Sequence, residues 1–255
     1  MIDEYKFIPK GKIYQYRSID TCKKILNNGT LFFENPRNFN DPFDCNISIL
    51  KFSRSQIAEN EFKKAFADVK VATREQKRKL YRDIWNDDKK YSEFWHRVIE
   101  RKINASGVTC FSKRYDNTLM WSYYGDKHKG VCLEFDAELD IKKILIDYTP
   151  GMFINVDYTK KEQIEYNFDR KEGVIHLFSN KSKDWEHEEE VRLTVIGRKD
   201  RYLRFNPSFI TGIIFGCRME ESEIDEIKFL AESKNYRLKY SKGIKDKYEL
   251  KFKDI

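Results

Sequence analysis

The chain has 255 residues, 40% of them hydrophobic and 36% charged, enough apolar material for one good core under a heavily ionic surface. Forty-nine basic against 42 acidic side chains leave a net charge of +7, a mild pull on anions that does not by itself define a nucleic-acid binder. No run of about 18 apolar residues and no signal-peptide core in residues 1–12 occurs, and the five scattered cysteines (Cys22, Cys45, Cys110, Cys132, Cys217) suit neither a disulfide framework nor a zinc site, so a reduced, cytoplasmic protein with no membrane partner is expected.

In chain order, Lys12 to Tyr16 reads as a short strand. A helix capped by Asp20 follows, with Cys22, Ile25 and Leu26 on its apolar side and Gly29 as its stop. Leu31-Phe32-Phe33 starts a second strand. The stretch Asn35 to Asp44, with two prolines and several Asn and Asp, is an ordered loop whose phenylalanines pack it down. Residues 55–104 switch to three- and four-residue spacing of apolar positions (Phe62, Phe66, Val69; Leu80, Ile84; Phe94, Trp95, Val98, Ile99) and read as a helical insertion. Gly107 to Ser112 is a strand, Asp116 caps a short helix through Tyr124, and Gly130 to Phe135 is another strand. Val156-Asp157-Tyr158 marks a strand end, and a polar helical region covers about 161–180. Phe209 to Gly216 is a central strand, Glu221 to Ser233 a helix, and two edge strands near Leu238 and Leu250 close the chain. With no repeat, linker or low-complexity tract, 1–255 reads as a single α+β domain with a mixed sheet and an insertion at about 55–104.

The segment most suggestive of chemistry is Glu188-Glu189-Glu190-Val191-Arg192-Leu193-Thr194-Val195. Strand periodicity puts Glu188, Glu190, Arg192 and Thr194 on one face and Val191, Leu193 and Val195 on the other. Two carboxylates and a guanidinium side by side cost desolvation and repulsion unless compensated, and such groups cluster at working sites. Trp185, just before them, is read as a core anchor.

Several short signatures then coincide: Tyr14-Gln15-Tyr16-Arg17-Ser18, Asn40-Asp41-Pro42-Phe43-Asp44, Cys110-Phe111-Ser112, Met120-Trp121-Ser122-Tyr123-Tyr124, His128-Lys129-Gly130-Val131, and Lys183-Asp184-Trp185 leading into Glu188-Glu189-Glu190-Val191-Arg192. In that order, over about 14–216, they resemble the bacterial domain of unknown function 2971. The parts also resemble, more loosely, ADP-ribosyltransferase-like enzymes of the Arg-Ser-Glu type: Arg17 ending a first strand, Ser112 ending a later one, then Glu188-x-Glu190. Cys110-Phe111-Ser112 stands where that family usually carries Ser-Thr-Ser, and the loop before the glutamates is shorter.

What this second resemblance implies is a mainly antiparallel, split β-sheet and an NAD-consuming activity, in toxin or anti-phage biology, that cleaves the nicotinamide–ribose bond. NAD would be the substrate, with water or an unidentified macromolecule as acceptor. Glu190 would stabilise the oxocarbenium-like charge on the ribose, a type of electrostatic interaction worth about 3 kcal/mol in comparable sites. Glu188 would position or deprotonate the acceptor, and Arg17 would grip diphosphate through its planar fork. Ser112 would orient a sugar hydroxyl, while Tyr16, Phe111, Trp121 and Tyr124 are candidates to stack on nicotinamide. No metal is required, and the four histidines (His96, His128, His176, His187) have no zinc-pair spacing.

Plainer readings stand beside these. Glu188, Glu190 and Arg192 can form a structural charge network with Arg17 or Lys183; Asp41 and Asp44 can cap turns; Met120, Trp121 and Tyr124 can be a packing stripe. Two other functions remain open. One is a metal-dependent nuclease gathering magnesium on Asp41, Asp44, Glu188 and Glu190 with Lys183 assisting; the other is a non-catalytic defence module binding nucleic acid near Lys77-Arg78-Lys79.

Overall fold

The computed structural model describes residues 9–146, 151–159, 163–166, 168, 172–197 and 201–255. Strand β1 (Lys12–Arg17) leads into helix α1 (Ile19–Asn28). Ser18, not Asp20, caps that helix, because its hydroxyl accepts from the Thr21 amide and satisfies one of the orphan N–H groups of the first turn. The helix stops at Gly29, whose φ of 60° is the left-handed conformation that glycine adopts without strain. Strand β2 (Thr30–Phe32) and the two-residue β3 (Leu50–Lys51) flank the Asn/Pro-rich loop. The helical insertion resolves into α2 (Gln56–Ala67), α3 (Arg74–Asn86) and α4 (Asp88–Asn104), capped by Ser55, Thr73 and Asp87.

Strand β4 (Ser106–Ser112) is followed by α5 (Thr118–Tyr123), whose cap is Asn117 rather than Asp116. The Asn117 amide oxygen takes the Leu119 and Met120 amides, while Asp116 is held by the Arg114 side chain. Then come β5 (Val131–Asp136), α6 (Ile141–Ile144), β6 (Gly151–Asn155), β7 (Ile164–Glu165) and α7 (Glu172–Ser179). The helix expected over 161–180 is thus confined to its last part; residues 161–162, 167 and 169–171 of that stretch lie outside the described residues. The chain ends with β8 (Glu190–Ile196), β9 (Tyr202–Arg204), β10 (Ile210–Phe215), α8 (Glu221–Ser233), β11 (Lys239–Asp246) and β12 (Glu249–Asp254).

Eight strands form one sheet in the order β12-β11-β10-β5-β1-β4-β8-β6, antiparallel throughout except for the parallel pair β10–β11. The α+β reading with a mixed, mostly antiparallel sheet is therefore correct. Its weak seam lies between β1 and β4. There a single residue pair, Tyr14 with Ser112, is in register, against six between β1 and β5 and seven between β4 and β8. Gln15 spans the seam by donating to the Thr109 hydroxyl at 2.9 Å and the Cys110 carbonyl at 3.0 Å, side-chain bonds that link β1 to β4 where the ladder has a single pair in register.

Side-chain alternation explains how the two faces are covered. Ile13, Phe111, Val191, Leu193 and Val195 point into one core shared with α1 and α8. On the opposite face two separate clusters form. The insertion and α7 pack with Val108 and Ile154 of the β4–β8–β6 half, and α5 packs with Tyr14, Tyr16, Cys132 and Ile214 of the other half. Between those two covers, directly over the seam, side chains of the open face are left to line a cleft. Among the described residues no helix is long and apolar enough to cross a membrane.

Candidate functional site

A cleft of about 130 Å³ opens where the sheet halves part, and its walls include Arg17 from the end of β1, Ser112 from the end of β4 and Glu190 from the start of β8. Ser112 and Glu190 are direct register partners across β4–β8, so the sheet itself fixes their relation. Arg17 is held from the other side by a tight turn at residues 125–130. A Cβ on Gly130 would come within 2.3 Å of the Arg17 carbonyl oxygen, so only glycine lets the two backbones approach this closely.

Period two correctly places Glu190, Arg192 and Thr194 on the cleft face with Val191, Leu193 and Val195 opposite. Glu188, by contrast, is not part of the strand. It ends a 3-10 turn (Lys183–Glu188), and Glu189 adopts a left-handed conformation (φ 43°) that turns the chain before β8 begins. Glu188 nevertheless reaches the same cleft, because both glutamates converge on Lys181.

Lys181 is the residue that sequence reasoning missed. It is 7% exposed, and its ammonium donates to Glu188 Oε2 at 2.5 Å and Glu190 Oε2 at 3.0 Å, with Asp44 Oδ2 4.0 Å away. Arg192, with no exposed surface, grips Glu190 bidentately (Nε to Oε1 2.8 Å, Nη2 to Oε2 3.1 Å). The same guanidinium binds both oxygens of Asp44 (2.9 and 2.5 Å) and the Phe178 carbonyl (3.0 Å). The charge partners suggested by the sequence, Arg17 and Lys183, are thus replaced by Lys181 and Asp44. Burial works to raise the Glu190 pKa, but Arg192 and then Lys181 outweigh it and hold the carboxyl well below the usual range, so Glu190 is ionised at any physiological pH. Burial likewise works against charge on Lys181, and Glu190 and Glu188 override it, keeping the amine protonated. Three carboxylates (Asp44, Glu188, Glu190) against two cations (Lys181, Arg192) leave this cluster one negative charge in excess.

Arg17 is treated differently. Among the described residues its side chain makes one hydrogen bond, from Nη1 to the Tyr16 carbonyl at 3.3 Å, and no carboxylate pairs with it. Burial without a counter-ion pushes its pKa down. A half-buried guanidinium on a cleft wall with unfilled donors is a ready seat for an anionic ligand.

The remaining candidates separate into two groups. Tyr124 lines the cleft, its hydroxyl donating to Glu188 Oε1 at 2.8 Å and accepting from Asn40 at 3.1 Å, and burial pushes its pKa up. Ser112 lines it as well; its oxygen accepts from the Arg114 amide at 3.0 Å, and its own proton has no acceptor among the described residues. Tyr16 borders the cleft but is committed, its hydroxyl donating to the Arg114 carbonyl at 2.8 Å. Phe111 borders the cleft and Trp121 does not, and the rings of both are packed away from it. The Phe111 ring lies in the core against Phe135 (5.3 Å), because strand alternation turns position 111 away from Ser112. Trp121 is fully buried, edge-on to Tyr16, with its indole N–H on the Tyr115 carbonyl. Trp185, expected as a core anchor, is only half-buried and sits with its ring 5.0 Å from the Lys181 ammonium. Of the loop acids, Asp41 caps a turn by accepting from the Phe43 amide, whereas Asp44 belongs to the ionic cluster.

The fold and site together define an α+β protein with a parted sheet and a charged cleft at the parting. Residues 120–193 match the family described as Protein of unknown function (DUF2971), which bears out the family resemblance carried by the sequence signatures. The matched segment contains Tyr124, Lys181, Glu188, Glu190 and Arg192; Arg17, Asp44 and Ser112 lie outside it. Comparison with curated proteins and with solved structures gave no match.

Proposed function

We propose that the protein consumes NAD in an ADP-ribosyltransferase-type reaction in the cytoplasm, breaking the bond between nicotinamide and ribose and passing the ADP-ribosyl group to water or to a macromolecule. The observation that supports this reading is the convergence of Arg17, Ser112 and Glu190 on one cleft at the seam of the sheet. When the glycosidic C–N bond breaks, its electron pair leaves with neutral nicotinamide and positive charge grows on the ribose. Glu190 is ionised and immobilised, inside a cluster with one negative charge in excess, and so supplies fixed negative potential where that charge forms. Lys181 and Arg192 bond Glu190 Oε2, Arg192 bonds Oε1, and the Cys110 thiol also donates to this carboxylate; a sugar hydroxyl takes the place of that weak thiol donor.

Arg17 takes the diphosphate, whose anionic oxygens complete its unfilled donors. Ser112 donates its free proton to a sugar oxygen. Glu188 receives the acceptor's proton, assisted by Tyr124, which both lines the cleft and bonds to it. Pockets that enclose a whole organic ligand run to roughly 300–1,000 Å³. At about 130 Å³ this cleft suits only the reacting end of a dinucleotide, with the rest lying outside it.

The metal-dependent nuclease reading is the weaker one, since Asp44, Glu188 and Glu190 are already turned onto Lys181 and Arg192. The test is nicotinamide release from NAD by the purified protein, compared with Glu190→Gln shown to be folded by circular dichroism. Release by the wild type that disappears in the variant is the expected result. Magnesium-dependent degradation of nucleic acid without nicotinamide release, or salt-sensitive nucleic-acid binding with neither activity, would replace this reading with one of its rivals.

A further inference from the structure

Just outside the Arg17–Glu190 cleft lies a second hollow of about 400 Å³, walled by Phe43, Tyr123, Trp185 and His187. The two spaces adjoin: Asn40 lines both, and neighbouring residues divide between them, Tyr124 and Glu188 lining the inner cleft while Tyr123 and His187 line the outer hollow. Phe43 and Tyr123 are 74% and 63% exposed; the Tyr123 ring touches Tyr124 and His187 at its edge, and most of both aromatic surfaces faces outward. The hollow also holds unmet acceptors. Asp41, 5% exposed, lies between this hollow and a neighbouring one beside Arg37 and lines both; Oδ1 takes the Phe43 amide, and Oδ2 is buried with no donor among the described residues. His187 is similar: with Nδ1 donating to the Asp184 carbonyl at 3.1 Å, Nε2 is left as a buried acceptor without a partner among the described residues. A buried acceptor left empty is costly, and a ligand that brings N–H donors removes that cost.

Resting on the reading of Arg17 as a diphosphate seat, we infer that this hollow is a base subsite that takes a purine bearing an exocyclic amine, an adenine-type nucleotide whose phosphates reach inward to Arg17. Aromatic walls stack on the π-face of any base; the Asp41 carboxylate selects the one that presents an amino group.

The test is a calorimetric titration of the intact protein with ADP, inosine diphosphate and inorganic pyrophosphate. ADP should bind at least tenfold tighter than pyrophosphate and tighter than inosine diphosphate, which lacks the exocyclic amine. Phe43→Ala and Tyr123→Ala, both at exposed positions, should weaken ADP about tenfold and leave pyrophosphate unchanged. Asp41→Asn keeps the acceptor for the Phe43 amide and should erase the preference for ADP over inosine diphosphate. Equal binding of ADP and pyrophosphate by the wild type, or ADP binding indifferent to Phe43→Ala, overturns the subsite even if NAD is cleaved. Tight, Phe43-dependent ADP binding without nicotinamide release keeps the subsite and rejects only the proposed reaction.

Discussion

Arg17 and Arg192 border the same cleft under opposite conditions. Arg192 is fully buried, holds two carboxylates and a backbone carbonyl, and Glu190 and Asp44 overcome the effect of burial to keep it charged. Arg17 has one backbone bond, no acidic partner among the described residues, and a pKa pushed down by its surroundings. The contrast separates two uses of charge. A satisfied buried ion network is rigid and costly to break, whereas a guanidinium kept short of partners is a stability liability that a ligand can relieve.

The comparison breaks most visibly at Arg192. Arg192→Met strands Asp44 and Glu190 without their main cation, and urea denaturation should show a loss of about 3–5 kcal/mol or an unfolded chain. Lys181→Met should cost somewhat less, about 2–4 kcal/mol, because Arg192 still serves Glu190 while Glu188 keeps only Tyr124. Acid should separate the wild type from this variant. The folded pKa of Glu190 is depressed, so the stability it contributes is complete above its unfolded value of about 4.3 and is lost as pH falls through the lower, folded value. Urea midpoints measured from pH 6 down to pH 2.5 should therefore fall for the wild type below about pH 4.5, and fall less steeply for Lys181→Met.

Arg17→Ala lies at the other extreme, since it removes a charge that nothing in the fold requires. Its stability should stay within about 1 kcal/mol of wild type. Trp185→Ala should have the smallest effect on folding, about 1 kcal/mol or less, because the ring is half-buried and its main contact is with the Lys181 ammonium. A loss of several kcal/mol there would restore the core-anchor reading that the sequence suggested.

Local physics made much of the fold legible. The helical insertion, α8 and the two faces of β8 follow from apolar spacing, and Gly29 from the need for a left-handed stop. Caps were misread at Asp20 and Asp116 where a neighbouring Ser18 or Asn117 competes for the same amides. The start of β8 was misread because nothing in Glu188-Glu189-Glu190 announces a left-handed Glu189. Of the site, Glu188 and Glu190 stand out in the sequence as clustered carboxylates, whereas Arg17 and Ser112 enter only through the resemblance to Arg-Ser-Glu enzymes. Lys181 was not legible, since it lies seven residues before Glu188 with no periodic relation to it and is brought there by tertiary packing. Phe111 and Trp121 were misassigned for a related reason: an aromatic beside a site residue in sequence is, on a strand, turned to the opposite face, and on a short helix is free to serve the core.

The most direct measurement is the binding of inorganic pyrophosphate to the wild type and to Arg17→Ala by isothermal titration, with urea midpoints taken on the same samples. Saturable, salt-sensitive binding that weakens at least tenfold in the variant while the midpoint holds is the predicted result. Pyrophosphate binding unaffected by the substitution, or a variant that unfolds, would contradict the view that Arg17 is held in reserve for a ligand.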